Sequence, residues 1–366
     1  MAGKEKTKKN GRENGAENMT GKETEQQILD ALREERRRHP AMEQQDAVKF
    51  VFQAMLGPGH LLASRDRVED YIAREMASLS PEGESPLSES LGPCWCRLSL
   101  YAAKEKGLSP AVLAAMMTAS VPAAAFTRQD VLRFCRQEVL AAEGFITDPE
   151  ALERIPEEGW LPSHSPAYRE AYRPAYRVVS PDWIPCVEIL RRVAAAPGKR
   201  VLVCLDGPCA TGKTTLAGKL AEVLDAAVVH TDDYVIPHEE KTPERLAVPG
   251  GNCDAERLAR EVAAPWKAGG PVVYRRYDCR RGVLLPEETL PEGRVLILEG
   301  SYCSLPAIRR YADVSLFLTA PWELREQRLL RRESPESMQR FRNLWIPLED
   351  AYFKAFGLPD RDCLVL

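Results

Sequence analysis

The chain has 366 residues, 44% of them hydrophobic and 28% charged, which is material for two soluble globular domains and a tail. Its net charge of −4 argues against nucleic acid or an anionic membrane as the main partner. Ten cysteines are scattered without a C-x-x-C pair, and Cys94-Trp-Cys96 makes a poor zinc site, so reduced thiols in a cytoplasmic protein are expected.

In chain order, residues 1–23 are Lys, Glu, Gly, Asn and Thr with little to bury and predict a disordered tail. No apolar leader or bilayer-length apolar run is present. Residues 24–143 read as an all-α N-terminal domain of unknown role. A stripe of Ile28, Leu29 and Leu32 comes first, then Val48 to Met55, with helices expected near 65–78, 96–106, 110–117 and 128–142. His60, after the Gly57-Pro-Gly59 turn, is either a ligand or proton carrier or a packing residue. Residues 144–180 read as a Pro/Tyr-rich connector. In it Tyr168, Tyr172 and Tyr176 repeat every four residues until Pro174 interrupts the face, which suits packing or a cleft wall.

From residue 181 to 366 short apolar runs alternate with helical stretches, the pattern of an α/β parallel sheet flanked by helices. Strands are expected at 200–205, 227–231, 272–274, 295–298 and 314–319, with 363–366 a sixth candidate. Helices are expected at 214–224, 255–267, 322–333 and 337–356.

The loop between the first strand and helix carries the chemistry. Gly207-Pro208-Cys209-Ala210-Thr211-Gly212-Lys213-Thr214-Thr215 fits G-x-x-x-x-G-K-[ST], a phosphate-cradling P-loop. Its glycines allow N–H groups to turn inward, and the helix start adds positive potential. Lys213 would reach the β- and γ-phosphates, and the Thr214 hydroxyl would hold Mg²⁺. At the end of the second strand, Asp232 and Asp233 offer a base for an attacking hydroxyl or a hand in placing magnesium. Glu299 ends an apolar strand where an acidic residue serves the metal shell. Arg328 and Arg332 lie in an arginine-rich helix that could close over the nucleotide as a lid. No guanine reader and no protein-kinase motif set is present.

These pieces together resemble the uridine kinase, pantothenate kinase and phosphoribulokinase group of P-loop kinases, over residues 198–366. The resemblance is closer still to a uridine kinase-like bacterial branch through Asp232-Asp-Tyr234, Pro249-Gly-Gly-Asn-Cys-Asp254, Tyr277-Asp-Cys279, Leu298-Glu-Gly-Ser-Tyr302 and Trp345-Ile-Pro-Leu-Glu349. It implies a P-loop NTPase fold, ATP and Mg²⁺, and a small-molecule hydroxyl as acceptor, a uridine-like nucleoside first. It implies Asp232 as base, and Asp233, Tyr234, Tyr277 and Asp278 on the substrate side. Two substrate-side stretches depart from the group, Asp232-Asp-Tyr-Val235 in place of Asp-x-Phe-Tyr and the Pro249–Asn252 loop. Asp233 stays open as the base. A nucleotide-switched regulatory or assembly module is the second reading, and a polynucleotide kinase is disfavoured by the acidic balance. No nucleic acid or membrane partner is expected, and a homo-oligomer is left open.

Overall fold

The computed structural model describes residues 21–58, 65–80, 86–121, 126–155 and 162–366. Residues 1–20, which hold most of the expected tail, and His60 lie outside the described residues. The chain divides into two compact units, residues 1–105 with 116–184, and residues 106–115 with 185–366.

The first unit keeps most of the expected helices and adds a sheet to them. Helices Gly21–Arg38, Gln44–Leu56 and Arg65–Ser78 form, the first of these taking in residues 21–23. An antiparallel sheet of three strands joins β1 (Ser88–Ser90), β2 (Cys96–Ser99) and β3 (Tyr176–Val179). The all-α expectation is corrected here, because Cys96–Ser99 begins as a strand and turns helical only at Leu100. Its partner β3 is about eighty residues away, a pairing that local periodicity cannot register. Residues 144–180 are likewise no simple connector: their described part belongs to the first unit and supplies the sheet's third strand. Ile28, Leu32, Phe50, Phe52 and Phe134 fill this unit's core.

The second unit is a five-stranded parallel sheet flanked by helices. Its strands are β4 (Val201–Asp206), β5 (Ala227–His230), β10 (Val295–Glu299), β11 (Val314–Phe317) and β12 (Leu364–Val365), in the order β12-β11-β4-β10-β5. β4 and β10 are buried along their whole length, as expected of uninterrupted apolar runs covered on both faces. β12 is short and half-exposed at one edge. The expected strand at 272–274 does not join this sheet. Its two residues, β6 (Val273–Tyr274), pair antiparallel with β9 (Glu288–Thr289), and beside them β7 (Tyr277–Asp278) pairs with β8 (Val283–Leu284). Val273 is 45% exposed, so the run lacks the two apolar faces that a central strand needs. Among the described residues no helix is long and apolar enough to cross a membrane.

Candidate active site

Parallel register brings the carboxyl ends of three strands together. Glu299 stands level with Leu205 of β4 on one side and His230 of β5 on the other. The Gly207 loop therefore leaves β4 next to the carboxylate of β10 and the Asp232-Asp233 turn after β5, the crevice where open α/β sheets bind ligands.

The P-loop is a strained turn. Gly207 has φ 138° and Gly212 φ 107°, both in the region that favours glycine, and Ala210 joins them at φ 60°. A Cβ on Gly207 would meet the Leu318 carbonyl oxygen at 2.2 Å, so no larger residue fits there. The helix Lys213–Leu224 follows directly, and its first N–H groups have no intrahelical acceptor.

Charged side chains from elsewhere in the unit hold this loop by its backbone. Asp206 is fully buried; its Oδ1 accepts from the Gly207 N–H at 2.7 Å, and its Oδ2 from the Ser304 N–H and the Tyr352 hydroxyl. Burial raises its pKa, and those three donors oppose the rise. Glu349 takes the Cys209 N–H at 2.9 Å and the Ser301 hydroxyl at 2.6 Å. On the carbonyl side, Arg325 donates to Cys209 O at 2.8 Å, while Arg328 donates to Ala210 O at 3.0 Å and Thr211 O at 2.8 Å. Together these bonds fix the path of the loop backbone from Gly207 to Thr211. Arg328, expected as a lid, is here a clamp on the loop, with one terminal nitrogen of its guanidinium donating to both carbonyls. Arg332 is more open and pairs with Glu333 at 2.9 Å.

On the reacting side, Lys213 is buried and its ammonium donates to Gly207 O at 2.7 Å and Pro208 O at 2.8 Å. The Thr214 hydroxyl donates to Glu299 Oε1 at 3.0 Å, and the His230 Nδ1 contacts the same oxygen. Glu299 thereby raises the His230 pKa, with Asp233 and Asp232 helping. The Thr214 hydroxyl and the Glu299 carboxylate thus meet beside the start of the helix. Thr231 bonds Ser301 O, and a Cβ on Gly300 would strike its hydroxyl at 2.1 Å, so this glycine lets β10 approach the Asp232 turn.

Asp232 is open to solvent on one side and crowded by protein on the others. That crowding and the Glu299 charge raise its pKa, against Lys213, His230 and Arg332. Asp233, half-buried beside it, is also raised by burial, with His230 and Arg276 pulling it down.

Of the expected substrate-side residues, two are corrected. Tyr234 is wholly buried in the core with the Arg257 guanidinium 4.1 Å from its ring centre, so its ring packs beneath the turn, and its hydroxyl has no hydrogen-bond partner among the described residues. Asp278 Oδ1 accepts the backbone N–H groups of Arg280 and Arg281, which makes it the cap of the β7–β8 turn. Tyr277 is 5% exposed, and its hydroxyl has no hydrogen-bond partner among the described residues.

Asp206, His230, Arg325 and Ser301 are given no role of their own in the sequence reading, although Ser301 lies in Leu298-Glu-Gly-Ser-Tyr302 and Arg325 in the arginine-rich helix. Asp206 had a signal, a carboxylate ending a fully apolar strand immediately before Gly207. Glu349 had none beyond its place in Trp345-Ile-Pro-Leu-Glu349.

No family model matches the chain, and no curated protein matches it. Its likeness to P-loop kinase structures covers about half of it. One is described as "a Possible Uridine Kinase from Bacillus stearothermophilus", with 21% identity and a TM-score of 0.39, covering 49% of this chain and 99% of that one. Another is a "putative fructose transport system kinase from Silicibacter sp. TM1040", with 27% identity and a TM-score of 0.40, covering 49% and 95%. A third is deoxyadenosine kinase from M. mycoides with bound dATP, with 12% identity and a TM-score of 0.23, covering 46% and 90%.

Proposed function

We propose that the second unit is an ATP- and magnesium-dependent kinase that phosphorylates a hydroxyl of a small molecule, a uridine-like nucleoside being the first acceptor to test. The observation that carries this reading is the meeting of four groups at the carboxyl end of the sheet: the P-loop backbone, Lys213, the Thr214–Glu299 pair and Asp232. The nucleoside preference rests on the sequence resemblance alone.

The residues fit the groups assigned to them. The loop's glycine angles and fixed backbone path form a cradle for phosphate oxygens. Magnesium, when bound at Thr214 and Glu299, would neutralise charge between the outer phosphates. Lys213 would exchange its two carbonyl partners for phosphate oxygens. Asp232 would take the proton of the acceptor hydroxyl, its raised pKa bringing it nearer to that of an effective base. Asp233 is the second candidate. Arg332 would stabilise charge on the phosphoryl group in transfer, and Arg328 acts earlier by shaping the loop. Tyr277 and Asp233 remain as acceptor-side contacts.

The test is an ADP-release screen across nucleosides, pantothenate-like compounds and sugar phosphates, with Lys213→Ala as the blank. Turnover of one hydroxyl compound, absent in the blank, supports the kinase. ATP binding without turnover of any would point instead to a nucleotide-switched module.

A further inference from the structure

The first unit buries a directed chain of polar side chains. The Arg97 Nε and one terminal nitrogen donate to Gln53 Oε1 at 3.2 and 3.1 Å, which orients the Gln53 amide. The Gln53 amide nitrogen lies 3.3 Å from the Tyr176 hydroxyl, which in turn lies 2.5 Å from His164 Nε2. His164 Nδ1 is 2.8 Å from Asp46 Oδ1, which also accepts the Ser165 N–H. Burial pushes the His164 pKa down to about 4. A neutral ring that donates from Nδ1 and accepts at Nε2 satisfies both neighbours. At the other end, the second terminal nitrogen of Arg97 donates to Glu35 at 2.5 Å, and the Tyr168 hydroxyl donates to the same oxygen at 2.8 Å.

Beside the Arg97 end lies a cavity of about 130 Å³, walled by His39, Ser99, Tyr168, Tyr172 and Tyr176. Arg97 itself is only 2% exposed and forms part of its lining. A guanidinium has five N–H groups, and the three bonds above use one each. Two therefore lack an acceptor among the described residues. The Ser99 hydroxyl accepts from the Ala102 N–H, and the Tyr172 hydroxyl accepts from the Ala41 N–H at 2.8 Å. Neither hydroxyl proton has an acceptor among the described residues. The lining's one carboxylate, Glu89, is paired with Arg38 at 3.1 Å.

We propose that this cavity is a binding site for a small organic oxyanion, a carboxylate or phosphate monoester on a compact apolar group. Of these donors only the Arg97 guanidinium is buried, and a buried donor without an acceptor costs about 1–3 kcal/mol, so a ligand bringing acceptors to it is favoured, with the half-buried Ser99 and Tyr172 hydroxyls as further contacts. The free edge of an Arg fork suits a carboxylate or phosphate. Tyr168 and Tyr172 meet edge to face at 4.8 Å and offer an apolar wall to the organic part. The site lies wholly within the first unit and does not depend on the kinase reading.

The test is calorimetric titration of the full chain with benzoate, phenyl phosphate and benzamide. At least one of the two anions binds, benzamide binds at least about tenfold more weakly, and Ser99→Ala and Tyr172→Phe each weaken the anion several-fold. Lys213→Ala leaves that binding unchanged, which separates this cavity from the P-loop. ATP affinity and far-ultraviolet circular dichroism of the two cavity variants confirm that they fold. No binding of either anion, equal binding of benzamide, or loss in Lys213→Ala with retention in the cavity variants overturns the proposal.

Discussion

Both units bury charge, but they employ it differently. In the second, Asp206, Glu349, Arg325 and Arg328 bond mostly to the backbone of one loop, so their charge shapes a peptide turn. In the first, Glu35 pairs with Arg97 and Asp46 with His164, so side chains hold one another across helices and sheet. The first arrangement leaves polar backbone groups free to meet a ligand. The second ties helix Gly21–Arg38 to β2, and helix Gln44–Leu56 to the segment before helix Pro166–Tyr172. Charge aimed at backbone should matter most for turnover, and charge aimed at another side chain most for stability.

The largest effects expected are on catalysis in the second unit. Lys213→Ala should lower kcat by about 10³-fold or more with the fold intact, since positioning and electrostatics dominate phosphoryl transfer. Steady-state ADP release together with circular dichroism checks both halves of that statement. Asp232→Asn should cost about 10²–10⁴-fold in kcat. In the wild type, activity should fall as pH drops through the pKa of Asp232, which burial and Glu299 raise above its ordinary value. Near-normal turnover in Asp232→Asn would pass the role of base to Asp233.

Next come stability effects in the first unit. Glu35→Gln leaves Arg97 buried without its counter-charge and should destabilise by about 3–5 kcal/mol, read from denaturant unfolding. If that variant loses activity and keeps its stability, the contrast between the units fails. Acid should weaken the same unit. The folded pKa of His164 is about 4 against an ordinary 6.5, so the unfolded chain binds the extra proton first. Stability is full above about pH 6.5 and falls towards pH 4, by at most about 3 kcal/mol. Glu35 is held well below the ordinary carboxylate range, mainly by Arg97 against its burial, and adds a further loss below that range. A melting temperature flat from pH 7 to 4 would contradict the neutral-histidine assignment.

The smallest effect expected is at Tyr277. Tyr277→Phe removes a buried hydroxyl that has no partner among the described residues, so stability should change by less than about 1 kcal/mol. If that hydroxyl meets the acceptor, KM rises several-fold with kcat nearly unchanged. An unchanged KM would take Tyr277 out of the acceptor site.

The sequence by itself determined the donor half of the site. Gly207 to Thr215 is contiguous, its glycine positions follow from local backbone angles, and an apolar strand before it with a helix after it can be read from neighbouring residues. Asp232 and Glu299 were legible for a similar reason, since each ends an apolar run and parallel strands gather their carboxyl ends. Only the tertiary structure decided what depends on distant partners. Tyr234 could be read as substrate-facing until the fold buried it under Arg257, and Asp278 until its carboxylate was found capping its own turn. Arg328 changed from lid to clamp because the loop carbonyls it meets lie more than a hundred residues earlier. The sheet of the first unit and its cavity were hidden likewise, since β2 and β3, and Arg97 and Tyr172, meet only after long loops close. Local angle preferences and periodicity are written in adjacent residues. Burial and pairing belong to residues that the chain brings together from far apart.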